Sequence, residues 1–429
     1  MLTATEATIT ALSNVVQETP IGTNINLLRL SWAMINGSFL KSRGSVHGAL
    51  LESGFSDDEI RRASSGLRDG SWQIDELLDN WLAHVRAKDE WQASKIEKYK
   101  AKGVDVTGFW RPKLKSNKNK LFNSAAGRAL PAIIMGVVTT AGELNGKRVP
   151  KLDTILRCEG EASEFHAELL AQVKKHLLPD EVAVLDAGFG INEVLTSGIL
   201  RFILRSAVNC TARRNELPTP KGAGRRAEYG VIVRPLARTY RGKDIAATES
   251  DEEGSFTYQN RTILYKAWHK LVTKQTKVDK HNQTFSIYVF HDPLYQKPLV
   301  LTTLMNLKPE SFYLFYKERW PVEHPPLVAK QMMGLHRQFV FNEEACFRLP
   351  ELGLLTGNIL SHLAASLPPV PTGYWDRVPK ATPGRLRRSL SRETFPNLDQ
   401  LDPLIRKKNS VWQHLPTGID AHRRTKAAA

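Results

Sequence analysis

Cysteine is scarce in this 429-residue chain: Cys158, Cys210 and Cys346 stand far apart, and no CxxC pair occurs. That spacing argues against a disulfide framework and against a cysteine-based zinc cluster, and it suits a reducing compartment. Long apolar runs are missing as well. No stretch approaches the roughly 20 residues that a membrane-spanning helix needs. The opening residues, MLTATEATITALSNVVQETP, lack a basic segment followed by an apolar one and do not read as a secretory signal. No internal repeat is found. Acidic residues are in deficit, with 44 Asp and Glu against 60 Lys and Arg, for a formal net charge of +16. A chain this basic suits a polyanionic partner, nucleic acid first and an anionic membrane second. The hydrophobic content of 41% is enough for a sizeable core, and the length is ordinary for two or three domains.

The charge is unevenly spread. Residues 1–94 hold 8 Lys/Arg against 12 Asp/Glu, residues 95–128 hold 10 against 2, and residues 371–429 hold 12 against 5. The basic character is therefore concentrated, as a binding surface would be. Residues 24–94 read as helical: Leu27, Leu28, Leu30 and Trp32 begin an apolar face, and Leu77, Leu78, Trp81 and Leu82 form another. Ser56 with Glu59 three residues on makes a capping-box pattern. Two short helices around Glu52-Ser53-Gly54-Phe55 have the outline of a helix-turn-helix, although short helix pairs are common and this segment is net acidic.

From residue 103 the period changes. Strands are expected at 103–109, 131–138 and 150–157, then a helix at 161–178, a strand at 182–185, a helix at 191–197 and a strand at 201–208. Three strands, helix, strand, helix, strand is the ribonuclease-H-like layout, an α/β fold with a mixed sheet between helices. Residues 209–300 interrupt it with a polar, Gly/Pro-bearing stretch and strand-like pieces at 229–233, 262–264 and 285–290. The chain then turns helical through Glu323, and Leu352 to Leu367 forms a further apolar helix. The expected organisation is a helical N-terminal domain at 1–98, a candidate DNA-binding element, the first part of the core at 99–208, a β-rich insertion at 209–305, the last part of the core at 306–370, and a basic tail at 371–429, part of it flexible.

Asp105 falls inside the first expected strand and Asp186 ends the fourth, in VLDAGFG. In such a sheet these strands are neighbours, so the two acids stand side by side, and a third acid on a helix crossing that edge completes a pocket of three carboxylates. Oxygen ligands of this kind suit two Mg²⁺ ions. Gly188 and Gly190 would let the backbone turn sharply beside Asp186, or simply serve a strand-to-helix turn. A candidate for such an acid is Glu323. Tyr316, Arg319, Glu323 and Lys330 are separated by two, three and six residues, and the first three fall near one helical face.

On these residues the chain resembles a DDE transposase of the IS4 type, the insertion-sequence group with a Tyr-2-Arg-3-Glu-6-Lys signature. Asp105 resembles the family's first acid, Asp186 the second and Glu323 the third, at separations of 81 and 137 residues. The resemblance covers about residues 100–367. It implies cleavage of double-stranded DNA at element ends and joining of the 3′ ends to target DNA, with two Mg²⁺ ions (Mn²⁺ as a substitute) on Asp105, Asp186 and Glu323. It also implies phosphate contacts from Tyr316, Arg319 and Lys330, a homodimer on paired ends, and a cytoplasmic, bacterial nucleoid-associated location with no membrane. Within the resemblance, an aromatic residue of the insertion holds a flipped base. Trp268 and Tyr295 are candidates, with ordinary core packing as the competing reading. A catalytically inactive DNA-binding derivative and a metal-dependent nuclease without strand transfer are the alternatives.

Pro321, Pro325 and Pro326 crowd the signature. Proline inside a helix removes a hydrogen bond and clashes with the preceding turn, so a smooth helix from 316 to 330 is not expected. Glu323 should lie near a helix start, with proline in the first turn after it. Lys113, Lys115, Lys118 and Lys120 form either a phosphate track after the first strand or a solvated hairpin. Arg385, Arg387 and Arg388 read as a general DNA contact. His324 lacks a second His at ligand spacing.

Overall fold

The computed structural model describes residues 3–114, 117–220, 222 and 226–406. The chain divides into two compact units, one made of residues 1–87 with 331–429 and the other of residues 88–330. This grouping differs from the five expected segments, for two physical reasons given below.

The first unit is helical: α1 (Ala4–Val16), α2 (Thr23–Ile35), α3 (Val46–Glu52), α4 (Asp57–Asp69) and α5 (Ile74–Lys88). The Ser56–Glu59 capping box forms at the start of α4 as the sequence predicts. Gly54, at φ 83°, makes the break between α3 and α4.

The second unit is built on one large sheet. Its strands are β1 (Tyr99–Trp110), β2 (Lys120–Asn123), β3 (Arg128–Thr140), β4 (Lys151–Arg157), β5 (Glu181–Leu185), β6 (Phe202–Arg205), β7 (Ala212–Arg214), β8 (Ile232–Val233), β9 (Glu252–Tyr258), β10 (Arg261–Thr273), β11 (Phe285–His291) and β12 (Leu299–Thr303). Helices α6 (Phe165–His176) and α7 (Ile191–Ser197) lie between β4 and β6, and α8 (Pro309–Arg319) follows β12. The central order is β4-β3-β1-β5-β6. Strands β1, β5 and β6 run parallel, while β3 runs antiparallel to both β1 and β4.

Alternation along these strands divides the core in two. Val104, Ala183, Leu185, Phe202 and Leu204 meet Leu169, Leu170 and Val173 of α6 and Val194 of α7. Ala101, Val182, Val184 and Ile203 point the other way, to Phe312, Tyr313 and Phe315 of α8. The sheet is thus covered on both faces, which is why β5 reads as an unbroken apolar run.

The expected β-rich insertion is not set apart from this sheet. β12 pairs antiparallel with β6 (Ile203↔Thr303), and β11, β10 and β7 continue outward from it. The reason is edge satisfaction: without β12, β6 would present a row of unpaired backbone groups. The expected strand at 262–264 is the start of a 13-residue β10, and the one at 229–233 shrinks to Ile232–Val233.

Two more helices follow, α9 (Glu343–Ser366) and α10 (Pro383–Leu390), both in the first unit. The apolar helix expected at 352–367 as part of the core begins earlier and groups with the N-terminal helices instead. Almost all of α9 is buried, so it needs partners on every side, and α1, α2 and α4 pack on it. Asn358 accepts a hydrogen bond from the Trp81 indole at 2.9 Å, and Arg348 donates to the carbonyls of Leu67 and Trp72. Arg348, polar yet buried, disguises the N-terminal half of the helix in the sequence. Among the described residues, no helix is long and apolar enough to cross a membrane.

Candidate active site

The register of β1 against β5 decides where the acids stand. Val104 pairs with Leu185, so Asp105 and Asp186 follow one another across adjacent parallel strands. Both alternate onto the face covered by α8. Two residues before Asp105 on that face is Gly103, where a Cβ would lie 2.9 Å from Val322 Cβ and 3.3 Å from the Arg319 carbonyl oxygen. Glycine here lets the turn after α8 press onto the strand, bringing Arg319 and Glu323 to the aspartates. Gly103→Ala is therefore expected to cost about 1–3 kcal/mol by overpacking. Chemical denaturation should show the loss partly restored by adding Val322→Ala. Equal losses with and without that second change would count against the contact.

The prolines shape that turn as the sequence predicts. α8 ends at Arg319, a 3₁₀ turn spans Trp320–Glu323, a single α turn spans His324–Leu327 with proline in its first positions, and a π turn covers Val328–Met332. Glu323 is the residue immediately before the α turn. The missing proline N–H groups break the regular ladder and let the chain shift from one helical pitch to the next.

The electrostatics are dominated by one buried cation among carboxylates. The Arg319 side chain is 7% exposed and donates from Nη2 to Glu323 Oε1 at 2.7 Å. Its Nε and Nη1 are buried without a hydrogen-bond partner. Burial works against its charge, but the combined field of Asp186, Tyr316, Asp105 and Glu323 outweighs burial and raises its pKa. Asp105 is pushed up to about 6, by burial first and then by the like charges of Glu323 and Asp186, with Arg319 opposing. Lys330 is lowered to about 8 by burial, and Asp105 works in the other direction. Its Nζ donates to Thr107 Oγ1 at 2.6 Å and sits 5.0 and 4.9 Å from the ring centroids of Phe109 and Trp110.

Arg205 was not singled out by the sequence. Its Nη1 donates to Asp186 Oδ1 at 3.4 Å and to the Tyr316 hydroxyl at 3.2 Å, and its guanidinium lies 5.9 Å from the Tyr316 ring. Tyr316 in turn donates to Asp186 at 3.4 Å, and burial raises its pKa. The signal was present in outline. VAVLD and FILR both end an apolar strand on a charged residue, and β5 and β6 pair in parallel with Leu185 opposite Leu204, so the two charges align. That alignment follows only once the pairing is known.

The donor chemistry suits a hard cation, since Asp105 and Asp186 offer neighbouring carboxylates and Glu323 lies close enough to shift Asp105. The arrangement stops short of a full ligand shell: among the described residues, no three His, Cys, Asp or Glu side chains are grouped to hold a metal ion. Glu323 is turned to Arg319 instead. His324 stacks edge-on against Trp320 at 4.6 Å, and burial lowers its pKa.

Other sequence candidates separate. Trp268 is a core residue, 1% exposed, with its indole donating to the carbonyls of Thr248 and Glu249. Tyr295 is exposed, and its hydroxyl accepts from Lys317 at 3.1 Å. In α4, Arg61 and Arg62 pair with Asp58, and Arg68 pairs with Asp69. The cations of the helix-turn-helix outline are thus committed to their own helix. In the tail, Arg385 pairs with Asp376 at 2.8 Å, Arg387 is half-buried against Gly37, and Arg388 is exposed, so the three do not form one basic face. The rest of the expected flexible tail, residues 407–429, and Lys115 lie outside the described residues. No protein-family model matches the chain, and a comparison with curated proteins finds no match.

Proposed function

We propose that this chain is a DNA transposase of the IS4 type, cutting the ends of a mobile element and joining its 3′ ends to target DNA as a homodimer on paired ends. The observation that carries the reading is the meeting of Asp105 and Asp186 on adjacent parallel strands under the turn that bears Arg319 and Glu323. The order β4-β3-β1-β5-β6 with β3 alone reversed supports a ribonuclease-H-like core. Asp105, Asp186 and, once released from Arg319, Glu323 would hold Mg²⁺, with Mn²⁺ as a substitute. Metal held there would supply activation of the attacking oxygen and stabilisation of the leaving one. The protein's own part is to hold the phosphate. Arg319 offers two unpartnered nitrogens, Arg205 flanks Asp186, and Lys330 adds a point charge beyond Asp105. Tyr316 orients Arg205 and Asp186 together.

One observation favours the alternative of an inactive DNA-binding derivative: Glu323 is paired with Arg319 rather than grouped with the aspartates. Strand-transfer assays on plasmid DNA with Mg²⁺ separate the readings. Joined products are expected. Nicks alone indicate a nuclease, and retarded but intact DNA indicates a binder. Asp105→Ala, Asp186→Ala and Glu323→Ala should each lower cleavage by about a thousandfold or more while sparing DNA binding.

A further inference from the structure

The segment after β1 contains no acid: between Asp105 and Glu143 the chain carries Arg111, Lys113, Lys115, Lys118, Lys120 and Arg128 and not one carboxylate. The structure folds part of it into a ribbon, β2 against the first residues of β3, with pairs running from Lys120↔Pro131 to Asn123↔Arg128. The tip turns through Gly127, at φ 61°.

This ribbon is a direct extension of the strand pair that carries Asp105. β3 is continuous from Arg128 to Thr140, pairing first with β2 and then with β1. Directly paired residues of antiparallel strands share a face, and every second residue along a strand returns to it. Asp105 pairs with Val137, Lys120 with Pro131 and Phe122 with Ala129. Positions 137, 131 and 129 differ by even steps. Lys120 and Phe122 therefore lie on the same side of the pleat as Asp105. Leu121, on the other side, packs with Ala132 and Phe165 in the core. Lys113, Lys118, Lys120 and Arg128 are exposed, and Phe122 is 63% exposed.

We infer that this ribbon is a sequence-independent grip for duplex DNA, placed on the acidic site's own face and at a set distance from it. The inference rests on the nucleic-acid reading above. Eight residues of β3 separate Ala129 from Val137, or about 26 Å at ~3.3 Å per residue. At ~3.4 Å per base pair that corresponds to about eight base pairs between the bond held at Asp105 and the phosphates held by the ribbon. Lys113, Lys118 and Lys120, all exposed, neutralise phosphates. Phe122 gives an apolar contact to the sugar edge or to a base step.

The test compares wild type with Lys113→Gln/Lys118→Gln/Lys120→Gln, and separately with Phe122→Ala, all in full-length protein. Binding to a 40-base-pair duplex is measured from 50 to 300 mM salt, alongside binding to phosphatidylserine vesicles. The triple variant should flatten the plot of log affinity against log salt by about 3, since each lost phosphate contact removes about 1. Phe122→Ala should weaken binding without changing that slope. Shortening the duplex to fewer than about eight base pairs on one side of the cleavage point should remove the difference between wild type and triple variant. A triple variant with unchanged slope, in a protein that binds and cuts DNA, overturns the ribbon's role and leaves the proposed function standing. Loss of vesicle binding with duplex binding untouched also overturns it. Wild type that binds no duplex at all overturns both.

Discussion

In the absence of divalent metal, Asp105→Asn melts at a higher temperature than wild type at pH 8, and the gap closes as the pH falls. Burial, with Glu323 and Asp186 nearby, holds the Asp105 pKa near about 6 against an ordinary value of 3.8. Arg319 and Lys330 are the cations facing it, and they offset only part of that effect. An acid whose folded pKa is raised binds its proton more tightly in the folded state. Its cost to stability is absent below 3.8, grows between 3.8 and about 6, and is complete above that. A carboxyl moved from 3.8 to about 6 corresponds to about 3 kcal/mol, or several degrees of melting temperature. Neutral asparagine escapes that cost. Melts of both proteins in EDTA at pH 4, 5, 6 and 8 test it. A gap that fails to widen between pH 4 and 6, or an asparagine variant less stable at pH 8, would show that Asp105 is not the strained group described. Added Mg²⁺ at pH 8 should narrow the gap by stabilising wild type alone, since the ion neutralises the charge that burial penalises.

Replacing Arg319 should have the opposite and larger effect. Arg319→Met keeps much of the aliphatic bulk but removes the cation that faces Glu323, Asp105 and Asp186. Breaking a buried pair by removing one partner costs about 3–5 kcal/mol, because the remaining charges stay buried and unbalanced. Glu323 is itself 41% exposed, so most of the loss comes from the aspartates rather than from the 2.7 Å pair. Two consequences follow. Combining Arg319→Met with Asp105→Asn should recover a large part of the stability, while combining it with Glu323→Gln should recover little. The loss should also shrink toward pH 5, where Asp105 takes up its proton. Urea denaturation of the single and double variants measures all of this. Recovery through Glu323 rather than Asp105 would mean that the exposed pair, not the buried field, holds Arg319 in place.

Much of this was legible in the chain itself. Unbroken apolar runs marked β5 and the middle of β3, helical periodicity marked α6, and Ser56 with Glu59 marked the start of α4. The prolines around Glu323 marked a broken helix, because a residue without an N–H cannot sustain the ladder whatever surrounds it. The placement of Asp105 within a strand and of Asp186 at the end of another was legible as well. Other features were out of reach. β10 looked like three residues because its exposed Lys266 and Lys270 hide the alternation, although Ile263, Ala267 and Trp268 are buried beneath. The true start of α9 was masked by Arg348, Pro350 and Glu351, charged or helix-breaking residues that are nonetheless buried.

By itself the sequence determined the type of most elements, the concentration of positive charge after β1, and the interrupted turn that carries Glu323. Each depends on interactions within a few residues, where period, proline chemistry and side-chain size act directly. Only the tertiary structure decided that β12 closes on β6, that α9 sides with the N-terminal helices, that Arg205 stands at Asp186, and that Arg319 rather than an aspartate faces Glu323. Strand partners and counter-charges are chosen among groups distant in the chain, by the need to satisfy exposed strand edges and balance buried charge together, and no local pattern encodes which partner meets that need.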